Sequence, residues 1–106
     1  MQSCQKEAVH KEYIKDLTID TTIAAGTHFY LDLTPYGDEG DEATIANPGN
    51  YFSVSRLEDV TDMFTYIYHY SPANNLSDTK DRVTISIKRY SSEEDSTVIH
   101  INFTIK

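Results

Sequence analysis

The sequence predicts an all-β domain, an antiparallel β-sandwich of about seven strands. Three observations carry that expectation: apolar residues recur with a period of two, turn signals interrupt them at short intervals, and almost no segment has a helical period. With 106 residues, 39% hydrophobic and 25% charged, the chain has the size and composition of one folded domain, which buries roughly two thirds of its unfolded surface. Residues 12–106 are assigned to that domain and residues 1–11, which are polar, to a flexible tether.

Taken in order, residues 13–19 read as a weak first strand, followed by a bend over 21–26. The second strand, 27–35, alternates Phe29, Leu31 and Leu33 inward. A short third strand at 43–46 runs into Asn47-Pro48-Gly49-Asn50, in which Pro pre-sets φ and Gly or Asn accepts a positive φ. A weak fourth strand occupies 51–56. The fifth, 63–70, places Phe64, Tyr66, Tyr68 and Tyr70 on one face and Thr65, Ile67 and His69 on the other. After a loop at 71–81 the sixth strand, 82–90, points Val83, Ile85 and Ile87 inward. An acidic hairpin loop at 91–96 leads to the last strand, 97–105, with Ile99, Ile101, Phe103 and Ile105 against His100, Asn102 and Thr104. β-branched and aromatic residues dominate the strong strands, as pleated surfaces favour. Seven short strands without a helix indicate an immunoglobulin-like arrangement.

Seventeen acids against nine bases give a formal charge of −8. That balance argues against nucleic acid, whose phosphates demand Lys and Arg, and against direct attraction to an anionic membrane. No apolar run approaches the roughly 18 residues of a membrane span. In a sandwich of alternating strands, the loops after the second, fourth and sixth strands share one end. They hold Asp38, Glu39, Asp41 and Glu42; Glu58, Asp59 and Asp62; and Glu93, Glu94 and Asp95. Clustered carboxylates repel, so a cation or a basic partner would relieve that end. Calcium, which takes oxygen ligands from flexible loops, is the cofactor candidate, with Asp38, Asp41, Asp59, Asp62 and Glu94 as ligands. The Asp-Glu-Gly-Asp-Glu run at 38–42 lacks the alternating spacing of an EF-hand, and acidic loop tips also serve simply as solvated surface.

The Tyr66, Tyr68 and Tyr70 stripe reads as core. Tyr30, Tyr36, Tyr51 and Tyr90 are the tyrosines expected to supply an exposed binding surface. His28, His69 and His100 fall on the polar faces of different strands, without the local spacing of a zinc site, and read as surface residues. No nucleophile elbow, phosphate loop or dinucleotide fingerprint occurs, and the paired acids sit in loop tips; a non-enzyme is expected.

Cys4 is the single cysteine. In Ser3-Cys4-Gln5-Lys6-Glu7 a small residue precedes it and a polar tether follows, so it is the candidate for lipidation. The signal-peptide regions that would stand before Ser3 are missing from this sequence, consistent with a processed or truncated form.

The runs Tyr68-His-Tyr-Ser-Pro-Ala-Asn-Asn, Asp81-Arg-Val-Thr-Ile-Ser-Ile and Ser96-Thr-Val-Ile-His-Ile-Asn-Phe-Thr-Ile resemble the closing strands of bacterial Ig-like and cadherin-like surface modules. With the Ser3-Cys4 start, the chain resembles a small Bacteroidetes-type surface lipoprotein. Both core cysteines and the buried Trp of antibody-type domains are missing, as is a Tyr in the sixth strand near Asp81 for a standard tyrosine corner. The resemblance implies an exported, outer-membrane location in a bacterial envelope, with membrane contact only through the lipid. It implies a non-enzymatic interaction or spacer module whose partner is a surface protein or a polysaccharide. The alternative is a carbohydrate-binding module that uses the exposed tyrosines, with or without structural calcium.

Overall fold

A computed structural model describes residues 15–90 and 96–106. It holds seven strands: β1 (Asp16–Ile23), β2 (Phe29–Asp32), β3 (Glu42–Asn47), β4 (Phe52–Glu58), β5 (Ile67–Pro72), β6 (Thr79–Lys88) and β7 (Thr97–Ile105). They form a β-sandwich with a four-stranded sheet, β1-β7-β6-β3, facing a three-stranded sheet, β2-β5-β4. Residues 1–14, including the tether and Cys4, lie outside the described residues, as does 91–95.

Several boundaries differ from the periodicity reading for identifiable reasons. The sandwich is not wholly antiparallel, because β1 pairs parallel with β7. That pairing carries β1 past the expected stop at 19, through Thr21 opposite Phe103 to Ile23 opposite Ile105. Pro35, which lacks an N–H, ends β2 early and opens a 3-10 turn over Thr34–Tyr36. β5 begins at Ile67 rather than 63, since Phe64 takes a left-handed φ of 62°. The 71–81 loop shrinks to 73–78, because β5 runs through Pro72 and β6 starts at Thr79.

The core is the seam between the sheets. Val83, Ile85, Ile87, Ile99, Ile101, Phe103 and Ile105 from β6 and β7 meet Leu33, Phe64, Tyr66, Tyr68 and Tyr70 from the opposite layer, and all are buried. Each fully buried apolar side chain contributes about 1.5–3 kcal/mol before entropy is counted. Tyr70 stacks on Phe103 with ring centroids 4.0 Å apart, and Phe29 meets the same ring edge-on at 5.1 Å.

Of the three tyrosines in this core, Tyr68 and Tyr70 bond their hydroxyls to named partners. The Tyr68 hydroxyl lies 2.5 Å from Ser55 Oγ, and Tyr70 donates to Asp81 Oδ2 at 2.7 Å. Burial raises the pKa of both well above the ordinary phenol value, and the Asp81 carboxylate reinforces the shift at Tyr70. Tyr70 therefore stays a proton donor at any ordinary pH.

Asp81 is the acceptor at the centre of this arrangement. Besides Tyr70 it accepts from the Asn50 amide at 2.8 Å, the Tyr51 amide at 3.0 Å and the Arg82 amide at 3.0 Å. One β6 carboxylate thus bonds the opposite sheet and pins the β3–β4 turn. Gly49 is required there twice over: its φ is +95°, and a Cβ would stand 2.6 Å from Asp81 Oδ2.

Asp81→Asn should lower stability by about 2–3 kcal/mol and Tyr70→Phe by about 1–2 kcal/mol, because each leaves buried polar groups short of partners. Urea unfolding of both single variants and the double variant should give a sub-additive sum. Strict additivity would mean that the two groups do not act through one bond.

Candidate functional site

The β2–β3, β4–β5 and β6–β7 connections do share one end. Glu42 at the start of β3 stands opposite Lys88 at the end of β6, and Ile67 of β5 stands opposite both Asp32 and Glu58. Asp38, Glu39, Asp41, Glu42, Glu58, Asp59 and Asp62 therefore lie at one pole, while Glu93, Glu94 and Asp95 fall outside the described residues.

Direct bonds tie these loops together. The Gly40 amide donates to the Asp62 carbonyl at 2.9 Å, joining the first loop to the second. Asp41 joins the first to the third: its carboxylate accepts from Arg89 Nη1 at 3.0 Å, the Tyr90 amide at 2.9 Å and the Asp38 amide at 2.9 Å. Arg89 also donates to Thr97 Oγ1 at the start of β7. Asp41 and Arg89 are 7% and 6% exposed, so this is a buried pair whose loss would leave an uncompensated charge.

The second loop is braced from within. Thr65 Oγ1 donates to the Asp59 carbonyl at 2.7 Å, and the Phe64 amide donates to the Thr61 carbonyl at 3.1 Å. The Phe64 ring fills the space beside Gly37, where a Cβ would sit 2.3 Å from a ring carbon.

This geometry alters the calcium expectation. Both Asp41 oxygens are already engaged by a guanidinium and two amides, which removes Asp41 from the ligand set. Among the described residues no three His, Cys, Asp or Glu side chains converge on a metal position, so Asp38, Asp59 and Asp62 do not assemble one. Glu94, the remaining candidate, lies outside the described residues.

Exposed apolar groups accompany the acids at this pole: Tyr90 is 82% exposed, Met63 63% and Val60 54%. Tyr90 and Val60 border neighbouring grooves that share Gly40 and Asp62. Tyr90 lies over Gly40, and Glu39, Gly40 and Asp62 line a shallow groove with it. A second groove joins Gly40 and Asp62 to Val60 and Thr61.

The four candidate binding tyrosines are dispersed. Tyr90 is at the acidic pole, and Tyr36 is half-buried in the 3-10 turn and packed on the core. Tyr51 sits at the opposite pole beside the β3–β4 turn, and Tyr30 on the outer face of the three-stranded sheet. Among the described residues no ring contact joins any two of them, so they form no common platform.

That outer face holds an arrangement that spacing did not reveal. Tyr30, His69 and Arg56 form one row across β2, β5 and β4. His69, expected at the surface, is only 5% exposed, because Tyr30 stacks on its ring with centroids 4.4 Å apart. His28 Nδ1 approaches His69 Nε2 at 2.8 Å, His69 Nδ1 approaches Glu58 Oε2 at 2.6 Å, and Arg56 Nε donates to the same oxygen at 2.9 Å. One proton placement satisfies the chain: His69 donates through Nδ1 to Glu58 and accepts at Nε2 from His28. The bonds from His69 and then Arg56 hold the Glu58 carboxyl below its ordinary value. His100 lies on the other sheet, near Thr84 and Asp16.

No protein-family model matches the chain, and no curated protein matches its sequence. Solved structures share the fold. A cysteine protease inhibitor from Entamoeba histolytica aligns with a TM-score of 0.54 at 13% identity, over 92% of this chain and 99% of that one. A 2,6-sialyltransferase from a Photobacterium species aligns at 0.52 and 10% identity, over 90% of this chain and 18% of that one. An endo-fucoidan hydrolase of glycoside hydrolase family 107 aligns at 0.50 and 11% identity, over 86% of this chain and 12% of that one. The chain thus spans under a fifth of either enzyme. At these identities the likeness establishes the sandwich alone.

The contribution of Glu58 carries a definite sign. A depressed carboxyl stabilises the fold above its unfolded value, and that contribution is lost as pH falls through its folded value. A carbon-13 NMR titration should place Glu58 below its ordinary 4.5, and His69→Asn should move it back up. An unmoved midpoint in His69→Asn would show that the His69 bond is not the cause.

Proposed function

We propose that this chain is a non-enzymatic interaction module that grips a protein partner with its acidic pole. The observation that carries the proposal is the cross-bonded loop cluster, which presents Val60, Met63 and Tyr90 among Asp38, Glu39, Asp59 and Asp62. Exposed apolar side chains rimmed by charge mark contact sites, and aromatic and Met side chains are enriched at interface centres. Loops already fixed before contact lose little entropy on binding. The partner surface should be apolar at its centre with Lys or Arg around it, since like charges on the partner would be repelled. That a cysteine protease inhibitor has this architecture along almost its whole length is consistent with a sandwich of this size acting by itself as a binder.

The Ser3-Cys4 pair supports lipid anchoring in a bacterial envelope, as an exported outer-membrane lipoprotein. β1 begins at the acidic pole, with Asp16 opposite Val98 at the start of β7. Cys4 and Asp16 are twelve positions apart, a reach of at most about 40 Å when fully extended. The gripping end would then work close to the membrane, which favours a partner held at the same surface over a distant polysaccharide. The dispersal of the four tyrosines lends no support to the carbohydrate-binding alternative.

A photoreactive phenylalanine analogue placed at Tyr90 or Met63, in the cells that carry the protein, should form one discrete protein adduct. The same group at Tyr51, on the opposite pole, should form none, and Asp59→Lys with Asp62→Lys should abolish the adduct at position 90. Adducts from Tyr51 alone, or none from any position, would overturn the proposal.

A further inference from the structure

We infer that His28 and His69 form a binding site for a divalent first-row transition metal, on the outer face of the three-stranded sheet. The inference rests on three features of one hydrogen-bonded chain.

First, two ring nitrogens face each other directly. His28 Nδ1 and His69 Nε2 are 2.8 Å apart, a separation held by a single shared proton when both rings are neutral. Imidazole nitrogen is the donor that zinc, copper and nickel accept. Two such donors at about 2.0–2.1 Å from a tetrahedral ion stand about 3.3 Å apart. The pair therefore needs to open by only about half an ångström to admit an ion. His28 is exposed and precedes β2, so it can supply that movement, while His69 is held by its neighbours.

Second, the opposite nitrogen of His69 already carries the support that metal-binding histidines have. His69 Nδ1 donates to Glu58 Oε2 at 2.6 Å, and a carboxylate there fixes the tautomer, orients the ring and raises the basicity of Nε2. Arg56 donates to the same Glu58 oxygen, so the carboxylate is oriented before any ion arrives. An isolated surface histidine would need none of this.

Third, access and rigidity are divided between the two rings. Tyr30 stacks on His69 at 4.4 Å and 22°, which fixes the plane of the buried ligand, while the His28 side stays open to solvent. Binding displaces the bridging proton: the ion takes His28 Nδ1 and His69 Nε2, the proton on His28 Nδ1 passes to water while His28 Nε2 takes one up, so the ring stays neutral, and His69 keeps its own on Nδ1. Water fills the remaining positions. The ion needs both ring nitrogens free of protons, so acid must weaken binding.

The test uses the full chain carrying Cys4→Ser and His10→Ala, so that the N-terminal segment offers no thiol or imidazole. Zinc chloride titrated calorimetrically near neutral pH should bind at one equivalent. His28→Ala, an exposed change that spares the fold, should weaken binding at least about tenfold, and Glu58→Gln by about 10–100-fold. His100→Ala, on the other sheet, should leave binding unchanged. Nitrogen-15 imidazole spectra should show His28 Nδ1 and His69 Nε2 shifting together. No binding at millimolar zinc, equal affinity in His28→Ala, or loss on His100→Ala would each overturn the site.

Discussion

The structure depends on a carboxylate removed from water between its two sheets. Asp81 rises from β6 and takes the Tyr70 phenol from the opposite sheet and two amides from the β3–β4 turn. A buried charge is costly unless every lone pair is used, and here four donors surround it. The consequences spread outward. Tyr70 is held flat on Phe103, which fixes the distance between the sheets at that end. Gly49 is forced, because the carboxylate lies where a side chain would start. Antibody-type sandwiches use a disulfide and a tyrosine corner for similar purposes; this chain uses a phenol and an acid.

The same device recurs at the other end. Asp41 is buried against Arg89 and accepts amides from two different loops, as Asp81 accepts amides from its turn. Acidity at this pole is therefore of two kinds. Asp41 is structural and internally neutralised, while Asp38, Glu39, Asp59 and Asp62 line the surface around Tyr90, Met63 and Val60. Among the described residues, that division explains how carboxylates at this pole hold the loops without converging on a metal. It also ties the described loops of the pole into a shaped surface, which is the property a binder needs. The histidine pair, on the outer face of the smaller sheet, draws on neither device.

Much of this was legible in the sequence, and what escaped has a common cause. Period-two alternation located the core faces of β6 and β7, because a half-buried strand must alternate. The shared end of the three loops followed from strand alternation alone. The parallel β1–β7 pairing did not, since Leu17, Ile19, Thr21 and Ile23 carry no signal of direction. Phe64 read as strand because it is apolar and in phase, yet it reaches the core from a left-handed turn. Asp41 reads in the sequence as a candidate calcium ligand and Asp81 as the end of a loop; only the arrival of Arg89, Tyr70 and distant amides makes them buried hubs. His28 and His69 are 41 positions apart, and only the β2–β5 register brings them together. Local chemistry was readable, whereas contacts created by register and sheet packing were not.

The central claim is that two buried carboxylates hold the two ends of the sandwich. Amide hydrogen exchange in the native state reads it directly at Asn50 and Tyr51, which bond Asp81, and at Asp38 and Tyr90, which bond Asp41. These four amides lie outside the strand ladders, yet their protection should approach that of central β6 and β7 amides. Exchange at the rate of an open surface loop would contradict it.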